Sequence, residues 1–380
     1  MESPARFRVV CCGRRWGKTL GFAHELLRAA LLKPGDYGWI GPTYPVTERG
    51  VDALQRIAPD LIFRGTSPRM ALLPNRSRIV FLSAEGDDAT RILGWGFRGI
   101  VIDEAPRVAQ KTLDQAIRPT LTDHQGWAAY VGTPKGRNWF FDQYTRGRAG
   151  QEGFASFQMP TASNPLIARK ELEEARASLP EDVFRQEYLA EFLEDSAGVF
   201  RGIDACLMPA GMPRGPAEGP YVLGVDLAKH QDFTVLIAAD MRTGRCVEMQ
   251  RFNRIDWPFQ RDRIVELARA LRARIVLDAT GVGDAVYDEL VRVWPAVEPV
   301  KLTSASKTEI IQGLMLAIER AELRWPAEWD VLTDELRRYE YDYSPQGRVS
   351  YNAPAGYHDD CVIALALAQW GRRQPRSGFL

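Results

Sequence analysis

The sequence predicts two successive α/β domains. Short apolar runs alternate with helical stretches through the first half. A Gly-, Pro- and Ala-dense stretch without sustained period, between Asp195 and Pro220, then interrupts the chain. A new series of apolar strands starts at Tyr221. At 380 residues there is material for two cores. The boundaries read from this pattern are a first domain over 1–195, a linker over 196–219 and a second domain over 220–380.

In the first domain, Phe7 to Cys12 reads as a strand and Leu20 to Leu32 as a helix. Further strands are read at Tyr37–Ile40, Arg78–Ser83, Ile100–Asp103 and Trp127–Gly132, the alternation of a parallel sheet with crossover helices. Arg137 to Gly150 reads as basic and loop-like, and Leu166 to Phe192 as mostly helical packing surface that includes FRQEYLAEF. In such sheets ligands bind beyond the carboxyl ends of the strands.

Three motifs fall at such ends. The first is VVCCGRRWGKTL, a strand running into Gly13, Arg14, Arg15, Trp16, Gly17, Lys18 and Thr19. Backbone N–H groups of a tight loop point at phosphate oxygens, and the following helix adds the positive end of its dipole. Lys18 suits the outer phosphates and Thr19 a magnesium ion. Cys12 stands where the usual loop has its first glycine, so a Gly-rich turn before a basic helix start is the competing reading. The second motif, GIVIDEA, ends a buried strand in Asp103, suited to magnesium, and Glu104, suited to polarising the attacking water. The two motifs in this order predict a P-loop NTPase domain that hydrolyses ATP. The third is Gly132-Thr133-Pro134, either a γ-phosphate sensor or a common turn.

In the second domain, strands are read at Tyr221–Leu227, Thr234–Ala239 and Cys246–Phe252, then a helix at Phe259–Arg272 and a strand at Ile275–Asp278. A strongly apolar helix, Cys361–Trp370, closes the domain. Three meandering strands, a helix and a strand is the order of a ribonuclease H-like fold. Asp226, Asp278 and the Asp359/Asp360 pair lie at two strand ends and a helix start. In that fold such acids converge on two divalent metals ~3.5–4 Å apart. Magnesium or manganese suits an all-oxygen site.

Composition narrows the rest. Hydrophobic content of 45% and charged content of 26% are ordinary for soluble globular protein. Lys+Arg and Asp+Glu balance at 49 each, so any nucleic-acid contact rests on local patches. One such patch runs from Arg251 to Arg274 with Trp257 and Phe259 among its arginines, although interleaved acids suit a solvated helix face equally well. The loop Ser344–Arg348, flanked by tyrosines, is the better candidate for guiding DNA. No apolar run reaches membrane-spanning length, and no charged start followed by an apolar core marks a signal peptide. The five cysteines form no C-x-x-C pair, which suits reduced thiols in cytoplasm.

The set GRRWGKT, GIVIDEA, GTPKG, FRQEYLAEF, GVDLAKHQDFT, VLDATGVGD and HDDCVIALALA, in this order, resembles the large terminase subunit of tailed bacteriophages over nearly the whole chain. The resemblance implies an ATPase that drives double-stranded DNA into a capsid and a nuclease that cuts concatemeric DNA. It implies ATP with Mg2+ at the first site and two Mg2+ or Mn2+ at the second. Implied partners are a portal protein, a small terminase subunit and further copies in a ring on the capsid. The chain is then a monomer when free, in the cytoplasm of an infected bacterial host and with no membrane partner.

Carried over by residue, Arg14, Lys18 and Thr19 match phosphate and magnesium ligands. Asp103 and Glu104 match the magnesium-binding and catalytic acids, and Thr133 falls in the coupling motif. Asp226, Asp278 and Asp360, with Asp359 in play, match the nuclease acids. The family's adenine-contacting segment has no counterpart in Met1–Arg8. The basic residue expected before the acid pair is replaced in Ile92-Leu93-Gly94, which leaves either Arg91 or Arg98 as the arginine that reaches a neighbouring subunit. A host ATP-dependent repair or recombination nuclease is the alternative reading.

Overall fold

In a computed structural model the chain divides into two compact units, one built on Met1–Asp195 and one on Ser196–Asp342 and Ser350–Leu380. The structure describes residues 3–85, 90–136, 138–193, 198–209, 220–227, 233–280, 283–343, 349–353 and 358–374.

The first unit contains β1 (Phe7–Cys12), α1 (Lys18–Leu32), β2 (Asp36–Gly41), α2 (Tyr44–Ile57), β3 (Ile62–Arg64), β4 (Arg69–Leu72), β5 (Arg78–Ser83) and β6 (Gly99–Asp103). A one-turn α3 (Gln110–Thr112), β7 (Trp127–Gly132), α4 (Trp139–Arg148), β8 (Phe154–Met159), α5 (Arg169–Ser178) and α6 (Glu181–Tyr188) follow. The sheet order is β3-β4-β5-β2-β6-β7-β1-β8. Strands from β5 to β8 in that order pair in parallel, and β3 and β4 add an antiparallel edge. In β1, Val9 and Cys11 enter the core on one face while Val10 and Cys12 enter the core on the other. A strand covered on both faces reads as a continuous apolar run, which is why the central strands are visible in the sequence.

The edges are less visible. β3 and β4 carry arginines and half-exposed positions, and β8 (FASFQM) is mostly half-buried. The segment expected as a basic loop, Arg137–Gly150, contains the helix α4. Asn138 caps it by accepting the Phe140 N–H at 3.1 Å, Trp139 and Phe140 are buried, and Arg146 and Arg148 complement the last turn. Arg146 and Arg148, which suggested a loop, lie on the exposed side of an amphipathic helix.

The second unit contains β9 (Leu207–Met208), β10 (Tyr221–Asp226), β11 (Thr234–Asp240), β12 (Cys246–Phe252), α7 (Trp257–Leu271), β13 (Arg274–Asp278), α8 (Gly283–Val293) and β14 (Val297–Val300). It continues with α9 (Ser304–Glu319), β15 (Trp325–Pro326), α10 (Asp330–Arg338), β16 (Glu340–Tyr343), β17 (Val349–Asn352) and α11 (Asp360–Arg373). The main sheet has the order β12-β11-β10-β13-β14. Its first three strands are antiparallel, and β13 and β14 join β10 in parallel, which is the ribonuclease H-like arrangement. Within the stretch read as linker, residues 198–209 are folded: β9 pairs with β15, the Val199 N–H donates to the Tyr339 carbonyl at 3.2 Å, and Arg337 meets Asp204 at 2.7 Å. Gly and Pro density hid this small docked segment. Residues 210–219 lie outside the described residues.

Side-chain parity places the acids of this unit. Tyr221, Leu223 and Val225 of β10, and Ile275 and Leu277 of β13, enter the core shared with α7 and α8. The alternate residues therefore face the other way, toward α11. Gly224 is where α11 comes closest: a Cβ there would stand 2.1 Å from the Ala364 carbonyl oxygen. Val222 and Val276 lie beside Gly371 of the same helix. Asp226 and Asp278 share that parity, and Asp360 opens α11. The helix itself is buried nearly all round, from Asp360 to Gln369, as its unbroken apolar run requires.

Candidate active sites

In the first unit the order β6-β7-β1 sets three motif-bearing strand ends side by side. The loop after β1 is held from outside. The N–H of Gly13 donates to the Met159 carbonyl at 2.9 Å, and the N–H of Arg14 to the Glu187 carbonyl at 2.7 Å. The carbonyls of Arg14 and Arg15 accept from Thr161 Oγ1 and Asn164 Nδ2, each at 2.8 Å. The Trp16 indole donates to Ser163 Oγ at 2.9 Å. Gly17 has φ of +100°, a left-handed conformation that glycine adopts without steric cost, and α1 starts at the next residue.

Lys18 Nζ lies 2.9 Å from Glu104 Oε1, and Thr19 Oγ1 donates to Asp103 Oδ2 at 3.4 Å. The loop and the acid pair therefore meet. Glu104 has φ of +51°, uncommon for a residue with a Cβ and a sign that its position is imposed by the surrounding fold. Burial, then the Glu104 charge, push the Asp103 carboxyl up to about 6, against Lys18. Thr133 is buried, and its hydroxyl donates to the Cys12 carbonyl at 3.0 Å, tying the β7 exit to the start of the loop. All five cysteines are buried and free, and burial pushes the Cys12 thiol up to about 12.

In the second unit Asp226 is the focus. Burial raises its carboxyl well above the ordinary range, and the charges of Asp360, Asp278 and Asp359 raise it further, with Lys307 opposing. The four acids named from the sequence thus share one electrostatic neighbourhood. Among the described residues no three His, Cys, Asp or Glu side chains form a ready-made metal cage. The donor set nonetheless fits a divalent cation, because a buried carboxylate crowded by like charges is relieved by positive charge.

Asp359 and Asp360 are held differently. Asp359 Oδ2 accepts from Lys307 Nζ at 3.1 Å and from the Tyr339 hydroxyl at 3.4 Å. Asp360 accepts the Phe233 N–H at 3.3 Å and lies 3.7 Å from His358 Nδ1. Asp278 Oδ1 accepts the Thr280 N–H at 2.8 Å. A cavity of about 220 Å³ beside this end of α11 is lined by Arg251, Glu335, Arg338 and His358, among others.

Comparison with known proteins decides the family. Residues 10–205, more than half of the chain, match the family model for the terminase large subunit, T4likevirus-type, N-terminal. Residues 223–369 match the terminase RNaseH-like domain. The chain belongs to the terminase large-subunit family. The large terminase subunit of Thermus virus P23-45 is 32% identical over the whole of this chain and 87% of its own length. That of Escherichia phage T5 is 28% identical over 54% of this chain and 48% of its own length. The solved structure of a large terminase from a thermophilic bacteriophage shares the fold, with a TM-score of 0.60 at 12% identity over 97% of this chain and 94% of that one. This terminase is an ATPase and a nuclease in one chain.

Several residues around the two candidate sites were not singled out from the sequence. Glu187, on the helix read as packing surface, forms ion pairs with both Arg14 and Lys135. Lys135 stood in GTPKG unremarked. Lys307, Tyr339 and Glu335 surround the nuclease acids, and Glu335 accepts the Cys361 N–H at 2.8 Å at the start of α11. Lys307, Tyr339 and Glu335 sit in no local motif, and the motifs that hold Lys135 and Glu187 do not announce their partners.

The proposed DNA-contact arginines are largely engaged within the chain. Arg251 stacks on Phe233, Arg261 pairs with Asp262, Arg263 stacks on Phe252 and Arg274 pairs with Glu298. β16 and β17 form a two-stranded sheet, while the loop expected to guide DNA, 344–348, lies outside the described residues.

Proposed function

We propose that this terminase is the motor and nuclease of a viral packaging machine. It hydrolyses ATP to drive double-stranded DNA into a capsid and cuts concatemeric DNA with a two-metal site. It works as a ring of copies on a portal protein, is supplied with DNA by a small terminase subunit, is a monomer when free, and acts in the cytoplasm of the infected bacterial host. The observation that carries the reading is the meeting of loop and acid pair at Lys18–Glu104 in a chain whose second unit gathers acids around Asp226. No observation favours the host-repair alternative.

In the ATPase site, Lys18 exchanges its partner Glu104 for the outer phosphates of ATP. Glu104, released from that pair, orients the attacking water. Thr19 and Asp103 hold Mg2+, which neutralises phosphate charge when bound. Thr133 passes the loss of the γ-phosphate to the loop through the Cys12 carbonyl. In the nuclease site Asp226, Asp278 and Asp360 would hold two Mg2+ or Mn2+, which would supply activation of water and charge stabilisation for phosphodiester cleavage. Asp359, already engaged by Lys307 and Tyr339, orients this set and contributes as a further ligand.

The two candidates for the arginine that reaches a neighbour lie at different edges of the sheet. Arg98 immediately precedes β6 and lines a cleft with Arg8, Lys33, Tyr37 and Trp127, at the amino-terminal edge of the sheet. That is the edge opposite the loop. Arg91 is exposed and donates to Ser67, between β3 and β4. The antiparallel register sets Arg69 beside Phe81, so this corner lies at the carboxyl end of β5, on the edge where ATP binds. This position supports Arg91 as the arginine that acts across a ring.

The test mixes Arg91→Ala with Glu104→Ala on portal-bearing capsids and measures ATP turnover. If Arg91 serves the neighbouring site, mixed rings regain turnover that neither variant shows alone, because an Arg91→Ala subunit with its Glu104 intact receives Arg91 from a Glu104→Ala neighbour, and Arg91→Ala alone loses roughly 10³-fold or more of the assembled rate. Turnover of Arg91→Ala at the parental assembled rate would refute the assignment.

A further inference from the structure

Glu187 is buried on α6, yet its carboxylate faces two cations. Oε2 accepts from Arg14 Nε at 2.6 Å, and Oε1 accepts from Lys135 Nζ. Its carbonyl also takes the Arg14 N–H at 2.7 Å. Burial would raise this carboxyl, but Lys135 and Arg14 outweigh it and hold Glu187 below its ordinary value. One carboxylate against two cations leaves a surplus positive charge, with Lys135 largely buried and Arg14 more than half exposed, so the pair is open to an anion from solvent.

The geometry says where that anion belongs. Arg14 lies in the phosphate loop, and Lys135 stands two residues beyond Thr133. Glu187 engages Arg14 through Nε, so this bond does not use the terminal nitrogens of the planar guanidinium. The Glu104 charge also acts on Arg14, so the guanidinium lies within electrostatic reach of the catalytic acid. A purely structural tie would be met by the main-chain bond and one cation.

We propose that Glu187 is a positioning residue of the ATPase site, fixing Arg14 and Lys135 as a pair of cations turned toward the outer phosphates of the nucleotide. This rests on the assignment of the ATPase site around Lys18. The carboxylate holds both side chains before ATP arrives, so the ordering cost of two long cations is met in the folded state. It also ties the phosphate loop and the exit of β7 to α6.

The experiment measures steady-state ATP turnover, equilibrium ADP binding and thermal unfolding of the full chain. Glu187→Gln keeps the shape and removes the charge. It is expected to lower kcat by about tenfold to 10²-fold, with ADP affinity and melting temperature little changed. In an Arg14→Ala/Lys135→Ala background the same substitution should cost nothing further, because the residues it positions are gone. Parental turnover in Glu187→Gln, or a loss that adds in full to that of the double variant, would overturn the proposal. Should Glu187→Gln fail to fold, Lys135→Met reads the same point: kcat falls if the pair acts on phosphate, and unchanged kcat overturns the proposal. Lys18→Ala is run alongside, and only its retention of turnover would impugn the site itself.

Discussion

Asp103 shows at the scale of one residue what burying an acid at the proposed ATP site costs. Its carboxyl is raised from 3.8 to about 6, mainly by burial. A raised acid favours the protonated fold, so its stabilising contribution is complete below about pH 4 and is lost as pH rises through about 6. Two pH units correspond to about 3 kcal/mol, which the fold carries as a penalty at pH 8 in the absence of Mg2+. Asp103→Asn is therefore expected to raise the melting temperature at pH 8 in chelator, to leave it unchanged near pH 4, and to abolish ATP turnover. Calorimetry across that range checks it, and a lower melting temperature at pH 8 would contradict the account. Lys18, Thr19, Asp103 and Glu104 were legible because strand, loop and helix fix them locally. Glu187 was not: it meets Arg14 across 173 residues and Lys135 across 52, and nothing in FRQEYLAEF announces such partners.

At the scale of elements, the strands buried on both faces were legible and the edges were not. β1, β6 and β7 announce themselves as apolar runs, whereas β3, β4 and β8 are short or half-exposed. α4 was concealed by its basic outer face, and the folded segment 198–209 by the Gly- and Pro-dense stretch to which it belongs. α11 was visible as an apolar helix, but its seat was not, because that depends on Gly224. A methyl group there meets the Ala364 carbonyl oxygen and the Ala368 nitrogen, both main-chain atoms that cannot yield separately. Gly224→Ala is expected to destabilise the second domain by about 1–3 kcal/mol and to weaken plasmid cleavage by moving Asp360 relative to Asp226. ATP turnover should persist. Unfolding and cleavage assays on the variant check this, and parental stability would show that α11 does not rest on that strand.

At the scale of the whole molecule, two chemistries occupy separate compact units, each with its own sheet. The order of motifs along the chain made this division legible, since each set lies within one half of the sequence. The convergence of Asp226, Asp278, Asp359 and Asp360 was legible only through strand and helix order, because the last pair lies more than eighty residues beyond Asp278. The central claim is that the sites are chemically independent: the acids around Asp226 cut DNA and the loop at Lys18 turns over ATP. The most direct measurement records phosphate release and plasmid cleavage on the same preparations of Asp226→Asn and Lys18→Ala. The account predicts that Asp226→Asn loses cleavage and keeps ATP turnover, while Lys18→Ala does the reverse. Cleavage that survives in Asp226→Asn, or that disappears in a folded Lys18→Ala, would contradict it.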